Sequence, residues 1–133
     1  MATVTLHVGP DAAHVRVVRL VAATFARRAG VAEESIDEIK LAVGEACGMA
    51  VSALGPDAEG RLSIELHDTV GVQVVVRTPV DLANQSAPDG GTGLVPDGLD
   101  VIRALLDQVD ISTGPGESVV AMSWPGELGR AAM

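Results

Sequence analysis

Hydrophobic and polar residues alternate along the first segment of the chain and then recur at helical spacing. Residues 2–8 place apolar side chains on one side and Thr and His on the other, which predicts a half-buried strand. The turn signal Gly9-Pro10-Asp11 follows, and no breaker occurs before Arg28, so we predict a helix that ends at Gly30. The predicted core stripe of this helix comprises Val17, Leu20, Val21, Thr24 and Phe25.

The same pattern predicts two further helices and four further strands. A second helix runs from about Glu33 to Leu54, with acidic residues in its first turns, where the helix dipole favours them. The remaining predicted elements are a helix at 99–106 and strands at 61–68, 72–77, 109–113 and 118–124. This order predicts an α+β fold, in which three helices cover one face of a mostly antiparallel sheet.

The segment from Pro79 to Gly98 interrupts this pattern with four glycines and three prolines. A loop of this length in a small domain is typical of a functional segment. We predict one domain over residues 1–125 and a frayed tail over 126–133.

Composition narrows the classes of function. A net charge of −9 argues against direct nucleic-acid binding, which needs a basic surface. No stretch approaches the roughly 20 apolar residues of a membrane span, and the first residues do not resemble a signal peptide, so we expect a cytoplasmic protein. A single cysteine, Cys47, and three scattered histidines show no metal-ligand spacing, so no metal site is predicted.

Two segments carry a resemblance to a known family. Asp37 to Cys47 reads DEIKLAVGEAC, and Gly98 to Val109 reads GLDVIRALLDQV. Both resemble segments of the anti-sigma-factor serine/threonine kinases, which belong to the GHKL (Bergerat-fold, HATPase-like) ATPase superfamily. The resemblance spans Thr3 to Trp124 and implies a Bergerat-type two-layer sandwich.

The first nucleotide motif of this family lies on the second helix. There a Glu acts as base, and an Asn four residues later holds Mg²⁺; residues with this spacing share a helix face. Glu45 matches the Glu, but Met49 stands where the Asn is expected. A thioether is a poor ligand for Mg²⁺, which prefers oxygen.

The other two motifs also depart from the family pattern. Thr78 stands where an Asp would recognise adenine, and Val80 and Leu82 replace glycines that let the backbone approach the nucleotide. Of the Gly-x-Gly that wraps the phosphates only Gly98 remains, because Pro96 replaces the first glycine and lacks an N–H. The predicted degenerate ATP site comprises Glu45, Met49, Thr78, Val80, Pro96 and Gly98.

Members of this family hold an RNA-polymerase sigma factor and release it when a STAS-domain antagonist binds instead. Such a competition needs only a shared surface and a difference in affinity, so it can persist without kinase chemistry. We therefore expect an anti-sigma factor without kinase activity and without a cofactor, homodimeric as the family tends to be. Two alternatives stay open: an active serine kinase that uses ATP and Mg²⁺ on the antagonist, and an antagonist-binding decoy that holds no sigma factor.

Arginines cluster on the first helix. Arg16 and Arg19 are three residues apart, and we predict that they share a face away from the core stripe. By resemblance, Arg19 matches an arginine with which family members contact both partners, and Arg side chains suit interface hot spots. We predict Arg16 and Arg19 as partner-binding residues, and we interpret Arg27 and Arg28 as solvated surface charges.

Three other residues are interpreted as structural. With no metal or phosphate to serve, Glu45 is a relic of the catalytic base or a structural group. Cys47 is interpreted as a small core residue and Trp124 as a packing residue.

Overall fold

The computed structural model describes residues 2–55, 61–82, 98–106 and 108–126. The helices are α1 (Ala12–Arg28), α2 (Glu33–Leu54) and α3 (Gly98–Leu105). The strands are β1 (Thr3–Val8), β2 (Leu62–Thr69), β3 (Gly71–Thr78), β4 (Val109–Gly114) and β5 (Glu117–Pro125). The predicted elements are confirmed in number, type and order within these ranges, and α2 has the predicted bounds.

All five strands form one antiparallel sheet in the order β1-β2-β3-β5-β4. Alternate residues of β2 are buried, because successive side chains of a strand point to opposite faces. In β3, the central strand, Gly71 and Val75 are buried in addition to the alternating residues from Val72 to Thr78. The buried face packs in one hydrophobic cluster with residues of all three helices. The predicted α+β fold, a sheet covered by three helices, is therefore confirmed.

The core stripe predicted for α1 is wrong at three of its five positions, whereas Val21 and Phe25 pack against the core. Val17 and Leu20 are 54% and 56% exposed, and Thr24 is also exposed. The residues that α1 buries instead are Val15, Val18, Ala22, Ala23 and Ala26. The prediction assigned the larger apolar residues to the core. The buried face consists mostly of alanines, which let α1 lie close against its neighbours.

Helix α2 is buried along one side throughout its length. Its buried residues are Ile36, Ile39, Ala42, Val43, Gly44, Ala46, Cys47 and Ala50. Burial raises the pKa of the Cys47 thiol to about 12, so Cys47 behaves as the predicted core residue and not as a nucleophile. Within the described ranges, no helix combines the length and hydrophobicity needed to cross a bilayer.

Trp124 joins the end of β5 to α2. The indole Nε1 donates a hydrogen bond of 2.9 Å to Glu38 Oε1, and the ring itself is buried. Trp124 therefore has the predicted packing role and, in addition, a polar partner, which a buried indole N–H requires.

The turn between β2 and β3 depends on Gly71. Its φ of 131° lies in a region that side chains rarely adopt, and an added Cβ would meet the carbonyl oxygen of Trp124. The same Cβ would lie 2.6 Å from the backbone nitrogen of Gly126. The neighbouring atoms belong to the backbone, so they cannot move aside as a side chain would.

We predict that Gly71→Ala lowers the free energy of unfolding by about 2–3 kcal/mol, through backbone strain and the clash with β5. Urea unfolding measures this change. Gly114→Ala is the control, because a Cβ added there meets no atom within 4 Å. A change of less than about 0.5 kcal/mol for Gly71→Ala, the range of ordinary surface substitutions, would contradict the prediction.

Candidate functional site

Glu45 and Met49 lie one turn apart on α2. Both side chains are half-buried, and Met49 packs against the hydrophobic core. The pair therefore offers one carboxylate and one thioether, and the thioether supplies no oxygen for a hard cation. In the part of the chain that the structure describes, no group of three or more His, Cys, Asp or Glu side chains could hold a metal ion.

Thr78 ends β3 as a buried polar residue. It is 1% exposed and pairs in register with Ser118 of β5. The Thr78 hydroxyl has no hydrogen-bond partner among the residues described. Position 78 thus presents one neutral, unpaired oxygen, where the family resemblance implies a carboxylate.

Ser118 forms hydrogen bonds with the segment that follows β3. Its hydroxyl accepts a hydrogen bond of 2.9 Å from the backbone nitrogen of Leu82 and donates one of 2.8 Å to the carbonyl oxygen of Val80. Leu82 is buried in the core, and Val80 packs against it. The Ser118 hydroxyl therefore acts as both donor and acceptor, and it holds residues 80–82 against the start of β5.

Sequence reasoning missed Ser118, although a signal was available. Alternate residues of β5 are buried, and at three of these four positions the residue is apolar: Val120, Met122 and Trp124. Ser118 is the polar exception in this series, and buried hydroxyls require partners. The period of the strand alone thus marks Ser118 as a residue with a specific hydrogen-bonding role.

The described residues do not fit a magnesium-bound nucleotide. Position 49 lacks an oxygen ligand, position 78 lacks a charge, and the apolar side chains of Val80 and Leu82 stand at predicted glycine positions. Gly98 begins α3. Pro96, the remaining predicted position, lies outside the described residues.

The match to a family model extends over nearly the whole domain. A model described as a histidine kinase-like ATPase domain matches residues 8–124, which include both segments of the sequence resemblance. The chain belongs to this family. A search of curated proteins found no match to the chain. The departures at Met49 and Thr78 therefore occur within a true histidine kinase-like ATPase fold.

The arginines of α1 in this histidine kinase-like domain fall into two groups. Arg27 forms an ion pair of 2.9 Å with Glu33, and this carboxylate raises the pKa of Arg27. Arg16, Arg19 and Arg28 are exposed, and none of them has an ion pair or a hydrogen bond within the described ranges. Only the second group has its charge available for another molecule.

Apolar side chains accompany these unpaired arginines. Val17 and Leu20, the two exposed aliphatic residues of α1, lie in the same two turns as Arg16 and Arg19. A shallow apolar groove beside β1 extends this surface, and its lining comprises Val4, Leu20, Val21, Thr24, Phe25 and Arg28. The groove thus combines apolar area with the positive charge of Arg28, and Arg16, four residues before Leu20, shares this side of α1.

The different hydrogen bonding of the buried Thr78 and Ser118 hydroxyls can be tested by substitution. Thr78→Val keeps the side-chain shape and removes a hydroxyl without a partner, so we expect the free energy of unfolding to rise by about 1 kcal/mol. Ser118→Ala leaves the backbone N–H of Leu82 and the carbonyl oxygen of Val80 without this hydrogen-bond partner, so we expect the free energy of unfolding to fall by about 1–2 kcal/mol. Urea unfolding of both variants supplies the comparison. A marked loss of stability in Thr78→Val would mean that its hydroxyl does have a partner.

Proposed function

We propose that this histidine kinase-like ATPase domain is an anti-sigma factor that sequesters an RNA-polymerase sigma factor without phosphoryl transfer. In this proposal a STAS-type antagonist releases the sigma factor by competing for the same surface. The observation that carries the proposal is the exposed side of α1, where Arg16 and Arg19 have no partner among the described residues and Val17 and Leu20 are exposed.

The charge distribution favours an acidic partner surface. The chain has a net charge of −9, yet α1 contains four arginines and no acidic residue. A positive surface on an acidic protein directs association towards carboxylates, and charge complementarity raises both specificity and association rate. Arginine also binds carboxylates through two parallel hydrogen bonds, which fixes the orientation of the partner.

The apolar residues of α1 support a protein partner rather than a small anion. The buried centre of a protein interface is more apolar than its rim, and Arg is among the residues enriched at interfaces. Leu20 lies three residues from Val17 and four from Arg16, so these exposed side chains are neighbours on α1 and place apolar area next to a positive charge. This combination arises because α1 buries its alanines and leaves larger aliphatic residues at the surface.

The predicted nucleotide positions support the absence of kinase activity. Phosphoryl transfer depends almost wholly on positioned metal and phosphate contacts. Met49 offers no oxygen for Mg²⁺, and Thr78 offers no charge for adenine. The side chains of Val80 and Leu82 are packed into or against the core, in the segment held by Ser118.

Titration calorimetry with ATP and Mg²⁺ tests the loss of the nucleotide. We expect no binding tighter than about 1 mM, because neither the metal nor the adenine position supplies the required group. A parallel titration with adenosine, which carries no phosphate, distinguishes weak binding of the base from binding of the phosphates and the metal. Micromolar binding of ATP would support the alternative, an active kinase that phosphorylates the antagonist.

Co-purification from the native cytoplasm tests the partner. We expect a sigma factor to be recovered, and we expect Arg19→Ala to weaken its binding by about 1–3 kcal/mol, the range of an interface hot spot. Arg27→Ala is the matched control, because Arg27 lies on the same helix but is paired with Glu33. Unchanged affinity in Arg19→Ala would remove Arg19 from the interface. Recovery of a STAS protein without any sigma factor would favour the decoy.

A further inference from the structure

The guanidinium of Arg19 occupies the space that a side chain at Gly44 would need. A Cβ added at Gly44 would touch Arg19 Nε and would lie 2.6 Å from Nη2 and 2.8 Å from Cζ. Atoms that are not bonded do not approach so closely, so the guanidinium can lie here only because residue 44 has no side chain. Arg19 of α1 thus rests directly on the backbone of α2.

The next glycine of α2 has no such neighbour. A Cβ added at Gly48, four residues later, would meet no atom within 4 Å. Glycine weakens a helix interior relative to alanine, so neither position is explained by helix stability. The contact with Arg19 gives Gly44 a specific reason to be glycine, and Gly48 serves as the matched comparison.

Arg19 lies against α2, where no described group pairs with its charge. Within the described ranges it forms no ion pair and no hydrogen bond, and it remains exposed. Its charge also acts on the thiol of Cys47, one turn beyond Gly44, where it lowers the pKa against the larger effect of burial. The guanidinium therefore lies over this turn of α2 with its donors available to another molecule.

A fixed arginine binds better than a mobile one. A long side chain loses rotamer freedom when a partner immobilises it, and a side chain that is already placed loses less. The flat guanidinium can stack on the bare backbone at Gly44, whereas a methyl group there would push it away. The space at residue 44 thus controls where the Arg19 charge is presented.

We propose that Gly44 is a positioning residue, which seats Arg19 across α2 so that its guanidinium receives a carboxylate of the sigma factor. The inference rests on the proposed function, because it assigns Gly44 to the same binding surface. It adds α2 to that surface and makes the absence of a side chain at residue 44 a determinant of affinity.

The test compares Gly44→Ala with Gly48→Ala, Arg19→Ala and the double variant Gly44→Ala/Arg19→Ala. The probe is the sigma factor that co-purifies with the unsubstituted chain, purified and titrated against each variant. We expect Gly44→Ala to weaken binding about tenfold, Gly48→Ala to leave it unchanged, and the double variant to bind no more weakly than Arg19→Ala. Both Gly→Ala variants should unfold at the same or a higher urea concentration, because alanine favours the helix.

The outcomes separate the inference from the function on which it rests. Equal binding by Gly44→Ala and Gly48→Ala, with weaker binding by Arg19→Ala, would overturn the role of Gly44 and keep the proposed surface. Unchanged binding by Arg19→Ala would overturn both.

A readout without a partner covers the case in which no sigma factor is recovered. The NMR resonance of the Arg19 side-chain Nε–H reports its surroundings, and we expect it to shift in Gly44→Ala and not in Gly48→Ala. An unshifted resonance in Gly44→Ala would show that the Arg19 guanidinium does not lie against Gly44.

Discussion

The burial of α2 against the sheet and against the two other helices is the constraint on which the other features of this domain depend. One side of α2 lies in the core from Ile36 to Ala50, so the helix can neither rotate nor slide without exposing that side. The hydrogen bond from Trp124 to Glu38 also ties it to the end of the sheet. With α2 held in this way, the position of every other residue on the helix follows.

Two parts of the surface depend on the placement of α2. One turn presents Glu45 and Met49, the positions that the family resemblance predicts to face a metal. The neighbouring Gly44 lies beneath Arg19 of α1. The same helix thus carries positions that have departed from the nucleotide pattern and a position that matches the proposed binding surface. We infer that the fold can lose the first role and keep the second, because neither role depends on the large buried side chains, such as Ile36 and Ile39, that anchor α2 in the core.

The strand ends show the same separation between scaffold and chemistry. Thr78 and Ser118 are a register pair of buried hydroxyls, yet only Ser118 is hydrogen-bonded among the described residues. Ser118 secures residues 80–82, whereas the hydroxyl of Thr78 adds a desolvation cost that no described contact offsets.

Local pattern predicted most of the fold because its elements are long and periodic. The bounds of α2 followed from its acidic first turn and from Gly55, and the strands followed from alternation. The buried side of α1 could not be predicted from apolar size, because alanines such as Ala22 and Ala26 are buried only through close packing between helices. The hydrogen bonds of Ser118 with residues 80–82 and the contact of Arg19 with Gly44 join residues that are distant in the chain, so only the tertiary structure reveals them.

The central claim is that this histidine kinase-like domain binds its protein partner independently of nucleotide. The most direct measurement is the Kd for the recovered sigma factor, determined without nucleotide and again with saturating Mg²⁺ and ATP. The account predicts values that agree within about twofold, because a ligand that does not bind cannot shift an equilibrium. Binding that tightens or weakens about tenfold with ATP would contradict it, because such coupling requires a working nucleotide site.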